Sequence, residues 1–296
     1  MNAENSVESG VRVDAWLPPE MAERAEAVGV KKAELAFSTM LALAVLAGAF
    51  IALGAAYATT ASSSPLPYSV NRLLAGVTFS LGLILVVVAG AELFTGNNLI
   101  AMAWASGKVT TAKLVRSWVI VYIGNLIGAM ATAALVFVSK QYSFGAGAVG
   151  KAALTIAQTK CGLPFVEAFA LGVLCNALVC MAVWLGYSAR TTTDKILSIV
   201  FPISAFVACG FEHSVANMYF IPVGLLIKSF APASFWNLIH DSPESYAAVT
   251  WMGFARNLAP VTLGNIFGGS VMVGLVYWFV YLRKAAGRGT SPSDRG

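Results

Sequence analysis

Two stretches, VVVAGAELFTGNNLI (residues 86–100) and FVACGFEHSVANMYFI (residues 206–221), repeat one polar pattern inside long apolar segments. In each, a glycine lies two residues before a glutamate, and an asparagine lies five residues after that glutamate. The matching residues are Gly90, Glu92 and Asn97 in the first stretch and Gly210, Glu212 and Asn217 in the second. Ionisable residues are costly inside a membrane, so this repeated pattern indicates a structural or functional task.

The composition is that of a membrane protein. The 296 residues are 58% hydrophobic and 11% charged, with a mean hydropathy of +0.74, which excludes an ordinary soluble domain. A helix needs about 20 apolar residues to cross a hydrocarbon core of about 30 Å. The sequence therefore predicts an all-α membrane protein with six transmembrane helices, near residues 36–58, 71–103, 114–138, 163–187, 196–229 and 252–282.

The repeated pattern falls in the second and fifth spans, and a second match falls in the third and sixth, as GNLIG at 124–128 and GNIFG at 264–268. The spans thus form two halves of three, and an odd number of crossings gives the halves opposite orientations, as in an inverted repeat. Polar, glycine-containing segments at membrane depth indicate broken second and fifth helices that line an enclosed pathway. The alternative is that the glycines and asparagines only allow helices to pack closely.

The domain boundaries follow from the spans. A cytoplasmic leader, a six-span channel domain and a cytoplasmic tail are predicted at residues 1–35, 36–283 and 284–296. The two repeats of the channel domain are predicted at about 36–138 and 163–282. Within the leader, PPEMAERAEAVGVKKAE (residues 18–34) begins with prolines and acidic residues and ends with lysines. This pattern predicts a short surface helix, and a disordered leader is the alternative.

The positive charges predict the orientation in the membrane. About two thirds of the 19 lysines and arginines lie in the leader, the tail and the loops near 104–116 and 188–195. This bias places both termini in the cytoplasm and predicts a multi-pass protein of the inner membrane. The same bias explains the net charge of +5, which therefore does not call for a nucleic-acid partner.

Glu92 and Glu212 occupy equivalent positions, which predicts a shared structural task. A carboxylate can accept hydrogen bonds from backbone amides that are freed where its helix is broken. Together with Asn97 and Asn217, the two glutamates are therefore predicted to stabilise the helix breaks. A direct role in transport is the alternative.

His213 and Thr95 have no equivalents in the opposite half, since Leu93 and Val215 stand at the matching positions. A symmetric scaffold therefore does not require them. Histidine titrates near neutral pH, so His213 is a candidate proton donor or acceptor in a narrow pore. Thr95 could offer its hydroxyl to a solute. The alternatives are a buried histidine with satisfied hydrogen bonds and a threonine that bonds its own helix.

Motifs of common enzyme classes are absent. The sequence has no HExxH, Walker lysine, GxSxG or GxGxxG motif. Its four cysteines, Cys161, Cys175, Cys180 and Cys209, do not have metal-binding spacing, and small packing residues are the expected role for them. The sequence thus predicts a protein that is not an enzyme and has no metal, disulfide or cofactor.

Three segments resemble the signature segments of the formate/nitrite transporter family: AELFTGN (91–97), GFEHSVANMYFIP (210–222) and NLAPVTLGNIFGG (257–269). With WLGYSARTTTDK and the ending VYWFVYLR, the resemblance covers about residues 30–283. It implies an aquaporin-like protomer in a homopentamer within the lipid bilayer, with a separate pore in each protomer. It also implies transport of small monovalent weak-acid anions, either passively or together with protons. The implied substrate is formate first, with nitrite, hydrosulfide, acetate and lactate behind it.

The resemblance also implies the residues of the pathway. The family's central histidine falls on His213, its pore threonine on Thr95 and its entrance lysine on Lys160, and the asparagines around the histidine fall on Asn176 and Asn265. Its hydrophobic constrictions fall on Phe79, Leu83, Leu93, Phe94, Val179 and Phe206. In this scheme the lysine concentrates anions, the constrictions exclude water, and protonation between them removes the charge of the solute.

Two other classes of function are weighed against this one. A channel for neutral solutes is disfavoured because the sequence lacks a pair of NPA motifs and carries Lys160. A membrane enzyme that uses Glu212 and His213 as acid and base is disfavoured because a nucleophile or metal cluster is missing.

Overall fold

The structure of the protein is a computed structural model that describes residues 14–283, and helices dominate this range. The first 13 residues of the predicted leader and the predicted tail at 284–296 lie outside the described residues. The α-helices are α1 (Pro18–Ala33), α2 (Phe37–Ala61), α3 (Tyr68–Ala89), α4 (Ile100–Ala105), α5 (Thr111–Val138), α6 (Ala148–Cys161), α7 (Phe165–Ser188), α8 (Thr192–Ala208), α9 (Ser214–Phe230), α10 (Ala233–Ile239) and α11 (Trp251–Ile266). After α11 the helix continues with π-helical hydrogen bonding over Phe267–Leu275 and Trp278–Leu282.

Five segments are long and apolar enough to cross a membrane, namely α2, α3, α5, α7 and Pro243–Leu282. Counting the bent pair α9 and α10, which meet at 110°, gives six by length and composition. The prediction of an all-α membrane protein is confirmed.

The second and fifth spans are broken, as predicted from their repeated polar pattern. Helix α3 ends at Ala89 and α8 ends at Ala208, and after each a few residues are non-helical before a new helix begins. The first residue after each helix is a glycine with positive φ, +83° at Gly90 and +77° at Gly210. Glycine adopts this left-handed conformation without the steric cost that a Cβ would bring. The repeated glycine therefore ends both helices in the same way.

Two hydrogen bonds between equivalent residues show how the halves are related. The hydroxyl of Ser80 donates to the carbonyl oxygen of Val200 at 3.3 Å, and these residues are 120 positions apart, as are Glu92 and Glu212. Tyr122 and Thr262, 140 positions apart like Asn125 and Asn265, bond through their hydroxyls at 2.8 Å. A residue that contacts its own equivalent lies on a two-fold axis. The two halves therefore pack around a pseudo-two-fold axis.

The glycines of the second repeated motif serve close packing. A Cβ on Gly128 would lie 1.9 Å from the carbonyl oxygen of Val45, and a Cβ on Gly268 would lie 2.1 Å from that of Val173. Only glycine allows these helix crossings, of α5 on α2 and of the π-helical segment after α11 on α7. The close-packing alternative thus describes these glycines, whereas the asparagines of the same motif have another task, described below.

Helices α1 and α6 make the same contact with the two helix breaks. Lys32 of α1 and Lys160 of α6 form the same ion pair, each with the glutamate of one helix break. Helix α1 is therefore the counterpart of α6 in this contact, although the sequence predicts it as part of a separate leader. Both helices have mixed polarity and lie just before an apolar span, which is why hydropathy alone did not assign them to the repeats.

Candidate functional site

Each helix-break glutamate accepts hydrogen bonds from side chains. Glu212 accepts from the Nζ of Lys160 at 2.7 Å, and from the side-chain amides of Asn217 at 2.7 Å and Asn257 at 3.2 Å. Glu92 accepts from the Nζ of Lys32 at 2.9 Å and from the side-chain amide of Asn97 at 2.7 Å. Both carboxylates are buried. The donors to the two carboxylates are thus lysine and asparagine side chains, and the amides of Phe94 and Ser214 at the breaks bond to other side chains.

Two asparagines of the GN motifs satisfy the freed backbone instead. Asn125 accepts from the backbone N–H of Phe94 at 2.9 Å, and its amide donates to the carbonyls of Ala44 and Glu92. In the other half an equivalent set of bonds is made by Asn265, which accepts from Ser214 N at 2.9 Å and donates to the carbonyls of Gly172 and Glu212. An amide side chain carries both donors and an acceptor, so it satisfies freed N–H and C=O groups together, whereas an ionised carboxylate only accepts.

His213 and Thr95 join the two breaks at the centre of the molecule. The Nε2 of His213 lies 3.0 Å from the hydroxyl oxygen of Thr95, and both side chains are buried. The Nδ1 of His213 accepts from the backbone N–H of Ala216 at 3.0 Å and caps the start of α9. Because Nδ1 accepts, the ring proton of the neutral imidazole is on Nε2 and is donated to Thr95. The hydrogen of the Thr95 hydroxyl is then available to another acceptor.

Asn176 of α7 lies against this centre. Its side-chain amide donates to the carbonyl of Asn265 at 2.6 Å and lies 3.3 Å from that of Thr95. Among the described residues, the Oδ1 of Asn176 and the Oγ of Ser214 are buried without a hydrogen-bond partner. Buried polar atoms are rarely left unpaired in native proteins. These two atoms are therefore available to a small polar solute or to water.

Two cavities approach the centre from different sides. The first, here called the His213 cavity, has a volume of about 560 Å³ and is lined by His213, Phe79 and Phe206 among others. The second, the Leu93 cavity, has a volume of about 280 Å³ and is lined by Leu93 and Leu83 among others. His213 and Leu93 are equivalent residues of the two repeats. The two cavities thus end at equivalent positions of the two repeats. The side chain there is a polar imidazole in one cavity and an apolar leucine in the other.

Four of the six predicted constriction residues line a cavity. Phe79 packs edge-on against Phe206 with ring centroids 5.6 Å apart, and Phe206 stacks on the His213 ring at 5.8 Å. Phe94 and Val179 are buried and are not among the lining residues of either cavity. The ring of Phe94 packs on aromatic residues of α5, Trp118 and Tyr122, at centroid distances of 6.5 and 4.9 Å.

Cations line both cavities. Arg72, Lys151 and Lys160 line the His213 cavity together with Glu212, and Arg24, Lys32 and Lys195 line the Leu93 cavity together with Glu92. In each cavity one lysine is paired with the glutamate, so the other two cations leave the lining positive. Of these six cations, only Lys160 was predicted from the sequence. An extension of the repeat search to α1 would have found Lys32, whereas the other four cations carry no motif.

This arrangement defines a class of protein. Two inverted halves with broken helices, cation-lined cavities on two sides and a short polar centre between buried apolar side chains are the features of a membrane channel or transporter whose pathway runs inside one chain.

The chain belongs to the formate/nitrite transporter family, because the family model described as "Formate/nitrite transporter" matches residues 19–279. The formate channel FocA of Escherichia coli strain K12 is 44% identical over 274 residues, which are 92% of this chain and 96% of that protein. The formate channel FocA of Haemophilus influenzae is 41% identical over 278 residues, covering 93% and 97%. A solved structure described as a pentameric formate channel with formate bound matches with a TM-score of 0.79 at 44% identity, covering 83% of this chain and 98% of that chain.

Proposed function

We propose that this protein conducts formate and related small monovalent weak-acid anions across the inner membrane. The observation that carries the proposal is the buried contact between His213 and Thr95, which lies where two cation-lined cavities approach each other. The relatives named as formate channels support formate as the substrate. Nitrite and hydrosulfide, as small monovalent anions, are the alternatives for the same pathway.

The first step is the capture of an anion in a cavity. The positive lining raises the local concentration of anions by electrostatic attraction. Lys160 contributes little net charge because Glu212 lies 2.7 Å from it, so most of the attraction in the His213 cavity comes from Arg72 and Lys151.

The second step is passage through the apolar centre. Phe79 and Phe206 on one side, and Leu83 and Leu93 on the other, offer no polar groups to replace the water around an anion. A bare charge would pay a large desolvation penalty there. Formate that takes a proton from a hydronium ion in the cavity water becomes formic acid and releases one water molecule, and the neutral acid avoids most of this penalty. A proton therefore travels with each formate in this mechanism.

The third step uses His213 and Thr95 as hydrogen-bonding groups. His213 donates Nε2–H to the Thr95 hydroxyl, which turns the threonine hydrogen toward other acceptors. A proton on Nδ1 would remove the cap on the backbone N–H of Ala216, so the bond arrangement suits a neutral ring. His213 then polarises the site and orients the hydroxyl, while the proton comes from water.

The assembly and orientation complete the proposal. The matched structure described as pentameric supports a homopentamer, and apolar side chains exposed on α3 and α5, such as Leu73, Val77, Val119 and Ile123, provide surface for lipid or neighbouring protomers. The distribution of lysines and arginines supports cytoplasmic termini.

The test is a counterflow assay with purified protein in liposomes. Labelled formate, nitrite, hydrosulfide, acetate, lactate and glycerol are compared at two pH values, and the recovered formate is analysed for chemical change. Formate exchange that is faster than the other fluxes and increases at the lower pH supports the proposal. Preference for nitrite or hydrosulfide would reassign the substrate, and flux of glycerol alone would overturn an anion pathway.

A further inference from the structure

Arg72 of α3 reaches across to the end of α8 at the break that carries His213. Its Nε donates to the carbonyl oxygen of Ala208 at 2.9 Å, and its Nη2 donates to the carbonyl oxygen of Val207. The last carbonyls of a helix have no partners within the helix. Because α8 ends at Ala208, the guanidinium satisfies two of these carbonyls at once.

The packing of α3 on α8 places Arg72 there. A Cβ on Gly76 would lie 2.5 Å from the carbonyl oxygen of Ser204, so the helix backbones are almost in contact at this point. The hydroxyl of Ser80, four residues further along α3, bonds to the carbonyl of Val200, four residues earlier in α8. The helices thus run antiparallel with a four-residue step. One step back from Gly76 along the same face lies Arg72.

The carbonyls that Arg72 holds are part of the turn that leads to His213. The backbone N–H of Gly210 donates to Val207 O at 3.0 Å, and a Cβ on Gly210 would lie 3.2 Å from the Arg72 Nη2. Phe206, one residue before Val207, stacks on the ring of His213. A shift of this turn would therefore move both rings.

This cap is present at only one of the two breaks. The residue equivalent to Arg72 is Thr192, and within residues 14–283 no side chain donates a hydrogen bond to the carbonyls of Val87, Val88 or Ala89 at the end of α3. The capped break carries His213, whereas the uncapped break carries Leu93 at the equivalent position. A helix C-terminus also bears about half a negative charge, which would repel an anion in the His213 cavity, and the guanidinium offsets it.

We propose that Arg72 is a positioning residue: by capping α8 it fixes the turn at 207–211 and thereby holds Phe206 and His213 in place for the passing solute. This inference rests on the proposed function for the identity of the solute, but the structural part is independent of it. Arg72 acts through the backbone of α8 and does not need to touch the solute.

The structural part is tested by amide hydrogen exchange of the purified wild type and the variants Arg72→Met and Arg72→Lys. Peptides that cover 206–213 are expected to exchange about tenfold faster in Arg72→Met, since a bond to a charged donor is lost. Arg72→Lys should restore most of the protection because an ammonium can donate to one of the carbonyls. Peptides covering 86–93 at the other break serve as the internal control. Unchanged exchange of 206–213 in Arg72→Met would overturn the proposal.

The transport part compares Arg72→Met with Lys151→Met, which removes a cavity charge without contacting the turn. Arg72→Met is expected to lower the maximal formate flux at least about fivefold, because Phe206 and His213 shift when the turn that supports them is loosened. Arg72→Lys should restore most of this flux. Lys151→Met should chiefly raise the half-saturating formate concentration. If Arg72→Met changes only the half-saturating concentration, Arg72 is an attracting charge and the proposal is wrong.

If the wild type does not conduct formate, the proposed function fails while the exchange data still decide the role of Arg72. If Arg72→Met does not assemble, Arg72→Gln is used instead. The glutamine side chain is polar but too short to reach the carbonyls of both Val207 and Ala208.

Discussion

The Nε2 of His213 lies 3.0 Å from the hydroxyl oxygen of Thr95, so the two broken helices meet through a bond between residues that are not equivalent. Their equivalents, Leu93 and Val215, are apolar. The frame around them is symmetric, with matched lysine, glutamate and asparagine contacts at each break. The contact between His213 and Thr95 and the Arg72 cap on α8 therefore depart from an otherwise symmetric frame.

Replacing His213 should lower formate flux at every pH, while the flux should still increase at lower pH because the proton on formate comes from the cavity water. His213→Asn keeps a side-chain acceptor for the backbone N–H of Ala216, because asparagine is a good N-cap, but it loses the imidazole donor to Thr95. We expect at least about a tenfold loss of flux, by analogy with the removal of one positioned donor. His213→Phe removes both bonds and should in addition destabilise α9. Flux is measured in proteoliposomes from about pH 5.5 to about pH 7.5, one unit on either side of the usual histidine pKa, so that a loss of flux is separated from a change in its pH response.

The other histidine provides the matched control. His240 lies in an exposed loop with φ of +50°, which asparagine tolerates, so His240→Asn should leave both flux and pH response unchanged. Pentamers of all variants are checked by size-exclusion chromatography. Flux of wild-type size in assembled His213→Asn would exclude His213 from the mechanism.

Thr95 should act through its hydroxyl and not through its shape. Thr95→Val is nearly isosteric but leaves the buried Nε2–H of His213 without an acceptor, which costs about 1–3 kcal/mol. Thr95→Ser keeps the hydroxyl. We expect formate flux to fall strongly in Thr95→Val and to remain within about threefold of the wild type in Thr95→Ser, a difference well below the cost of the lost bond. Equal fluxes in the two variants would contradict a role for the hydroxyl.

The sequence predicted the span pattern and the broken helices because apolar length and a repeated Gly-x-Glu pattern are local signals. The same signals identified Glu92 and Glu212, but not what they bind. Their partners Lys32 and Lys160 lie 60 and 52 residues away in the sequence. They are on α1 and α6, whose mixed polarity does not mark them as membrane spans. The ends of such long-range contacts are brought together only by helix packing.

The role of Asn125 was missed for a related reason. The GN motif marked it as a repeated residue, yet small residues with asparagine are also typical of close helix contacts. Both roles occur in one motif: the glycines allow the approach, and the asparagine bonds the freed backbone of the break. Arg72 and Lys151 carry no motif, and only the fold brings them into one cavity.

The two asparagines should matter for stability in both halves. Asn265→Leu would remove the partner of the backbone N–H of Ser214 and a donor to the carbonyl of Glu212. Asn125→Leu would do the same to the N–H of Phe94 and the carbonyl of Glu92 at the other break. Each buried unsatisfied group costs about 1–3 kcal/mol, so both variants should unfold at clearly lower temperature in detergent. Asn237→Ala, in an exposed position of α10, is the control and should not shift the unfolding midpoint. A midpoint equal to that of the control would show that water replaces the asparagine.

The ion pair between Lys160 and Glu212 should contribute less to the free energy of unfolding than is lost when only one of the two residues is replaced. Lys160→Met leaves a buried carboxylate with only its asparagine partners, and breaking a buried pair in this way costs about 3–5 kcal/mol. The double variant Lys160→Met with Glu212→Gln removes both charges and should recover much of that loss, because glutamine can still accept from the amide of Asn217. Thermal unfolding of the wild type, both single variants and the double variant gives the coupling energy of the pair. The same cycle at Lys32 and Glu92 is the matched comparison, and strict additivity at both breaks would mean that neither pair is coupled in the folded protein.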